Sequence, residues 1–213
     1  MKYQLDNSKI DSVPCVALYR PDKDHYSPSI IACFIISDGW NEQALLALKE
    51  KAEADILVGL QTDEHKYERL DIIEGVVRCQ PDEVNDVIAL LDVKSASTII
   101  GIDVADVISL FECGYLFQFV QASATGEHEF DMIKIATHKL IDLLAKAHDT
   151  KGIFVGMQSP QSLPLESMAY VTEAVEELLS GDDTFIYYSS NSTDEPEFFR
   201  LNGIYAEEKQ SHT

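Results

Sequence analysis

The chain has 213 residues, and its 46% apolar content, with 9 Phe, 9 Tyr and 1 Trp, is enough for a sizeable core and excludes a disordered chain. Its 16 basic and 37 acidic residues give a formal charge of −21. A surface that negative repels phosphate backbones and anionic headgroups, which argues against nucleic-acid and membrane-surface partners.

The first predicted strands are residues 13–20 (Val-Pro-Cys-Val-Ala-Leu-Tyr-Arg) and 29–37 (Ser-Ile-Ile-Ala-Cys-Phe-Ile-Ile-Ser), with Pro21 and Pro28 between them. The second is almost continuously apolar, as a strand covered on both faces must be. Asp38-Gly39 turns the chain into a helix from Asn41, with Leu45, Leu48 and Ala52 on its inner face. Ile56–Leu60 is the next strand. The charged stretch Asp63–Asp71 and the apolar run Ile72–Cys79 follow. Pro81 suits a first helical turn, Asp82 and Glu83 suit the positive end of its dipole, and Val84, Val87, Ile88 and Leu91 line one side.

After a break at Lys94–Ser97, residues 98–111 read as a short strand, a loop and a short helix that stops before Gly114. Tyr115–Gln121 is a strand. A long helix opens at Gly126-Glu127, striped by Phe130, Ile133, Thr137, Leu140, Leu144 and Ala147. Ile153–Met157 is a strand, and Met168, Val171, Val175 and Leu178 stripe a helix ending at Ser180-Gly181. Thr184–Ser189 and Phe199–Tyr205 read as a closing pair of strands around a polar hairpin. The order β-α-β-α-β-β, preceded by a smaller α/β segment, places the chain among α/β folds. The expected division is 1–95, 96–206 and a polar, mobile tail at 207–213.

Chemical motifs are scarce. The ten glycines are dispersed and form neither GxxxxGK[ST] nor GxGxxG, so there is no loop of backbone N–H groups to cradle phosphate. There is no GxSxG elbow. Cys15, Cys33, Cys79 and Cys113 form no CxxC pair and sit in apolar surroundings, as buried free thiols of a reducing compartment do. His128, His138 and His148 are ten residues apart, so successive ones are turned by about 80° on a helix and form no ligand row. Glu173, Glu176 and Glu177 read as a wet helix face, and Asp182-Asp183 as a turn. Neither metal nor cofactor is expected. The amino end has no apolar signal core and no run nears the ~18 apolar residues of a membrane span, so a cytoplasmic protein is expected.

Two acids remain. Asp103 and Asp106 bracket Val104-Ala105 where a strand gives way to a short helix. Such a pair can orient a water or hold a cation, and it can equally cap the helix, with Asp103 as N-cap and Asp106 at the third helical position.

The run Ile100-Gly101-Ile102-Asp103-Val104-Ala105-Asp106-Val107 resembles the co-catalytic loop of the bacterial tubulin homologue FtsZ, Asn-x-Asp-x-x-Asp before a short helix. Ala124-Thr125-Gly126-Glu127 is similar to the family's Ala-Ser-Gly-Glu, and Lys151-Gly152-Ile153-Phe154-Val155 to its Ala-Arg-Gly-Val-Leu-Val strand. Leu163-Pro164-Leu165-Glu166 is similar to its Leu-x-Leu-x-Glu. The resemblance covers about residues 80–206, and residues 30–60 are similar to the last strand–helix–strand of the family's nucleotide domain. Residues 1–28 have no counterpart.

The resemblance implies an FtsZ/tubulin C-terminal-domain-like fold lacking the glycine-rich GTP-binding half, with Gly101 where the family has Asn. In FtsZ this loop enters the neighbouring subunit's nucleotide site and its acids position the attacking water. By resemblance, Gly101, Asp103 and Asp106 form an interaction loop on a non-hydrolysing protein whose partner is an FtsZ filament end or another copy of itself. The alternatives are a homo-oligomeric scaffold, or an enzyme or small-ligand protein with a pocket between the halves built from Trp40, Asp103 and neighbours.

Overall fold

The structure is a computed structural model that describes residues 13–21, 25–65, 67–93, 98–100, 103–145, 150–179 and 184–206. Gly101, the Lys94–Ser97 break, Ala147, His148, Ser180-Gly181, Asp182-Asp183 and the tail lie outside them.

The strands are β1 (Val16–Tyr19), β2 (Ile31–Ile35), β3 (Ile56–Gln61), β4 (Gly75–Arg78), β5 (Thr98–Ile100), β6 (Leu116–Thr125), β7 (Gly152–Ser159), β8 (Phe185–Ser192) and β9 (Phe198–Ala206). The helices are α1 (Glu42–Lys51), α2 (Val84–Leu91), α3 (Val104–Glu112), α4 (Glu129–Leu144) and α5 (Leu165–Leu178). Local chemistry explains several starts. The Asn41 side chain accepts the Ala44 N–H at 2.9 Å and caps α1. Pro81 opens a 3-10 turn, Pro81–Glu83, that leads into α2.

Among the described residues the strands form one sheet in the order β1-β2-β3-β4-β6-β9-β7-β8-β5. β1, β2, β3, β4 and β6 run parallel in succession, and β7 runs parallel to β8. β9 lies antiparallel between β6 and β7, and β5 is antiparallel to β8. The β6-α4-β7-α5-β8-β9 succession is the α/β order expected.

Two expectations need correction. β8 and β9 do not form a hairpin: β7 separates them, and β9 is inserted between β6 and β7. All but one residue of β9 is buried, so it needs a hydrogen-bonding neighbour on each side. Phe130 does not belong to the buried stripe of α4. It is 40% exposed, and Met132, Ile133, Ala136, Thr137, Leu140 and Leu144 are the buried residues.

Alternation along the strands sends side chains into two layers. Cys33 and Phe154 join one core with α2 and α3, whereas Phe34 packs with α1 and Val155 packs with α4 and α5 on the other face. The first face is concave. The Leu91 carbonyl accepts from Cys15 Sγ at 3.6 Å, next to β1, while the neighbouring Leu90 lies against Gly156 of β7. In a flat sheet β1 and β7 would stand roughly 29 Å apart, at about 4.8 Å per strand. A helix about 10 Å wide reaches both only because the sheet curls around it.

Candidate functional site

α3 carries the acidic pair. Val104, Val107, Ile108, Leu110 and Phe111 are buried in the concave core, which fixes the helix by one face. Gly152 allows the close approach at its far end, because a Cβ there would stand 2.7 Å from Cys113 Sγ and 3.1 Å from Leu110 Cδ1.

At the near end, Asp103 has extended backbone and is the N-cap. Its Oδ1 accepts the Asp106 N–H at 3.0 Å, and Asp106 Oδ2 accepts the Asp103 N–H at 3.0 Å. This is a reciprocal capping box with Asp in the place usually taken by Glu. The capping alternative is therefore realised in the geometry. Asp103 is exposed and Asp106 half-exposed, and the box engages one oxygen of each carboxylate. Both charges act on Tyr187 of β8. Burial chiefly, and then the field of Asp106 with a smaller part from Asp103, raises that phenol above its ordinary value.

Trp40 is not part of this site. Its ring packs 5.7 Å from Phe34 and 6.3 Å from Tyr26, on the α1 side of the sheet and opposite α3. Sequence spacing could not separate the two faces, because Trp40 follows a turn whose direction the strand pattern leaves open. His128 and His138 are exposed, Glu173, Glu176 and Glu177 line the wet face of α5, and the described residues contain no metal-ligating cluster.

A shallow cleft of about 220 Å³ opens between the 69–74 segment and the end of α3, lined by Arg69, Asp71, Glu74, Phe111 and Glu112 among others. Two of its charged groups are already engaged. Glu74 accepts from Lys49 Nζ and from the Leu57 N–H, and Arg69 lies 4.3 Å over the Tyr115 ring. No nucleophile–base pair lines it.

Solved structures decide the fold. An empty FtsZ dimer from M. jannaschii is 18% identical with a TM-score of 0.62, over 84% of this chain and 63% of that one. The fold is of the FtsZ/tubulin type. A GTPγS-bound protofilament of CetZ2 from Haloferax volcanii is 12% identical with a TM-score of 0.58, over 85% of this chain and 66% of that one. A W319Y mutant of the M. jannaschii FtsZ is 18% identical with a TM-score of 0.53, over 84% of this chain and 56% of that one. At such identities the likeness is one of fold, and this FtsZ/tubulin-like chain spans 56–66% of the length of those proteins. No protein-family model matches the sequence, and no curated protein matches it either.

Two features escaped sequence reading. One is Asp86 of α2, which accepts from Gln121 Nε2 at 2.9 Å and from Arg200 Nη1 at 3.3 Å, tying the helix to β6 and β9. The other is a set of polar residues that pairing sets side by side on β6, β7, β8 and β9: Ser123, Arg200, Gln158 and Asn191. The available signal was an alternation of polar residues on β6 (Gln121, Ser123, Thr125) and β9 (Arg200, Asn202) alone.

Proposed function

We propose that this chain is a non-hydrolysing, FtsZ-like protein that acts by protein–protein interaction, presenting the head of α3 to the end of an FtsZ-type filament and capping or modulating it. The observation that carries the reading is the exposed capping box: Asp103 and Asp106 are held rigidly at a helix start and each offers an oxygen that the box does not use. The absence from the sequence of a glycine-rich phosphate loop supports an inactive partner rather than a hydrolase. In this reading residues 1–95 are what remains of a nucleotide domain and 96–206 the interacting domain.

The experiment is GTP turnover and sedimentation of an FtsZ-type protein with wild-type chain and with the double variant Asp103→Ser/Asp106→Gln. Ser-x-x-Gln retains a capping box while removing both charges, so folding and interaction are separated. The expected result is a change in turnover and pelletable polymer with wild type that the variant loses. No response to the wild type overturns the reading.

A second reading is self-association, favoured by the protofilament and dimer among the structures of this fold. The chain then assembles with copies of itself, and light scattering that finds a monomer at high concentration excludes it.

A further inference from the structure

The cleft of about 220 Å³ beside the end of α3 has a floor and a rim of different chemistry. Ile56, Ile108 and Phe111, each at most 5% exposed, form an apolar floor. A glycine lets them meet: a Cβ on Gly75 would stand 2.4 Å from Phe111 Cδ1, so the ring rests on bare backbone at the start of β4.

Arg69, Asp71 and Glu112 are exposed at the rim, while Glu74 is already taken by Lys49 and the Leu57 N–H. Arg69 is engaged through its face, 4.3 Å over the Tyr115 ring, and pairs with no carboxylate among the described residues. A stacked guanidinium keeps its N–H edge for a planar anion such as a carboxylate. Asp71 and Glu112 have no cationic partner among the described residues either. Glu112 is the last residue of α3, whose final turn carries no basic residue. A carboxylate there sits at the negative end of the helix dipole, where a cation is favoured.

This combination is selective. A lone anion meets two unpaired carboxylates and is repelled. A lone metal cation meets Arg69 and gains nothing from the apolar floor. Pockets for drug-sized ligands run to roughly 300–1,000 Å³, and this one is smaller, about 220 Å³. We propose that the cleft binds a free α-amino acid with an apolar side chain. Its carboxylate takes the N–H edge of Arg69, its ammonium the acidic rim at Asp71 and Glu112, and its side chain the floor. A polypeptide terminus brings only one of the two charges. The inference uses no residue of the acidic loop and stands independently of the interaction reading.

The test is a titration of the ¹⁵N-labelled full chain with L-leucine, following the Arg69 Nε–H signal (assigned by its loss in Arg69→Gln) and the backbone amides of Asp71 and Glu112. Three analogues each lack one feature: L-leucinamide the carboxylate, N-acetyl-L-leucine the ammonium, and glycine the apolar body. L-leucine shifts all three signals saturably. Each analogue binds at least about tenfold more weakly, the equivalent of one charge-assisted hydrogen bond or one buried side chain. Arg69→Gln lowers the affinity for leucine to that for leucinamide and leaves leucinamide binding unchanged, while the rest of the backbone spectrum shows the fold intact. The proposal is overturned if leucine produces no saturable shift, if any analogue matches it, or if Arg69→Gln binds leucine as the wild type does. Leucinamide matching leucine reduces the cleft to an acidic patch, and N-acetyl-leucine matching it reduces the cleft to an exposed arginine.

Discussion

Leu90 occupies the space that a side chain on Gly156 would need: a Cβ there would lie 2.5 Å from Leu90 Cδ1. The contact joins α2 to the middle of the sheet, and with the Leu91–Cys15 contact it defines the curl. Gly156→Ala therefore forces α2 outward. The expected cost is about 1–3 kcal/mol, as for other overpacked cores. Leu90→Ala in the same chain removes the clash, so the double variant recovers part of the loss. Urea unfolding of the two single variants and the double reads the coupling directly. Additive losses contradict the contact.

Asp86 is the polar counterpart of that contact. It is the common acceptor for Gln121 and Arg200, with side chains about a quarter exposed. Asp86→Ala strands the Arg200 guanidinium under α2, while the Gln121 amide keeps its second acceptor, Asn202 Oδ1 at 3.1 Å. A loss of about 1–3 kcal/mol is expected, since a half-buried donor is left without its partner. Asp86→Asn keeps an acceptor oxygen and loses less. If Ala and Asn cost the same in urea unfolding, the carboxylate is not acting as the acceptor.

The capping box predicts how stability and interaction separate. Asp103→Ala removes the acceptor for the Asp106 N–H and costs about 1 kcal/mol, whereas Asp103→Ser keeps a capping oxygen and changes stability by a few tenths. Thermal unfolding of both variants checks this. An Ala variant as stable as Ser shows that the box contributes nothing to α3, and the acids are then held by something other than capping.

Much of the architecture was legible because its causes are local. Pro81, Asn41 and the Asp103–Asp106 pair announce helix starts by the hydrogen bonds they make or avoid within a few residues. Strand neighbours are different, since pairing is decided by residues far apart. β8 and β9 follow one another in sequence and so read as a hairpin, but burial of β9 on both faces draws it between β6 and β7. Phe130 fell on the right side of the helical wheel but sits in the first turn of α4. There it stacks edge-on against Tyr170 at 5.7 Å and under Lys134 instead of entering the core. The polar rows were illegible for the same reason as the strand order. Gln121, Gln158, Asn191 and Arg200 lie far apart in sequence, and only register makes them neighbours.

The cysteines predict a response to alkali. Cys15, Cys33 and Cys79 are buried, and Cys113 is partly exposed. Burial, reinforced by the negative charge of Glu83, pushes the Cys79 thiol from 9.0 up to about 12. Burial likewise raises Cys33 and Cys113. A folded-state value above the unfolded one means that the unfolded chain loses its protons first as pH rises. The stabilisation is therefore complete below about pH 9 and is lost progressively as pH climbs towards 12. The urea midpoint should fall between pH 8 and pH 10.5, and Cys79→Ala should flatten that fall. In the native chain at pH 8 a thiol-reactive dye should label Cys113 first and the other three only on unfolding. Prompt labelling of Cys33 without denaturant would place that thiol outside the core and remove the basis for the alkaline slope.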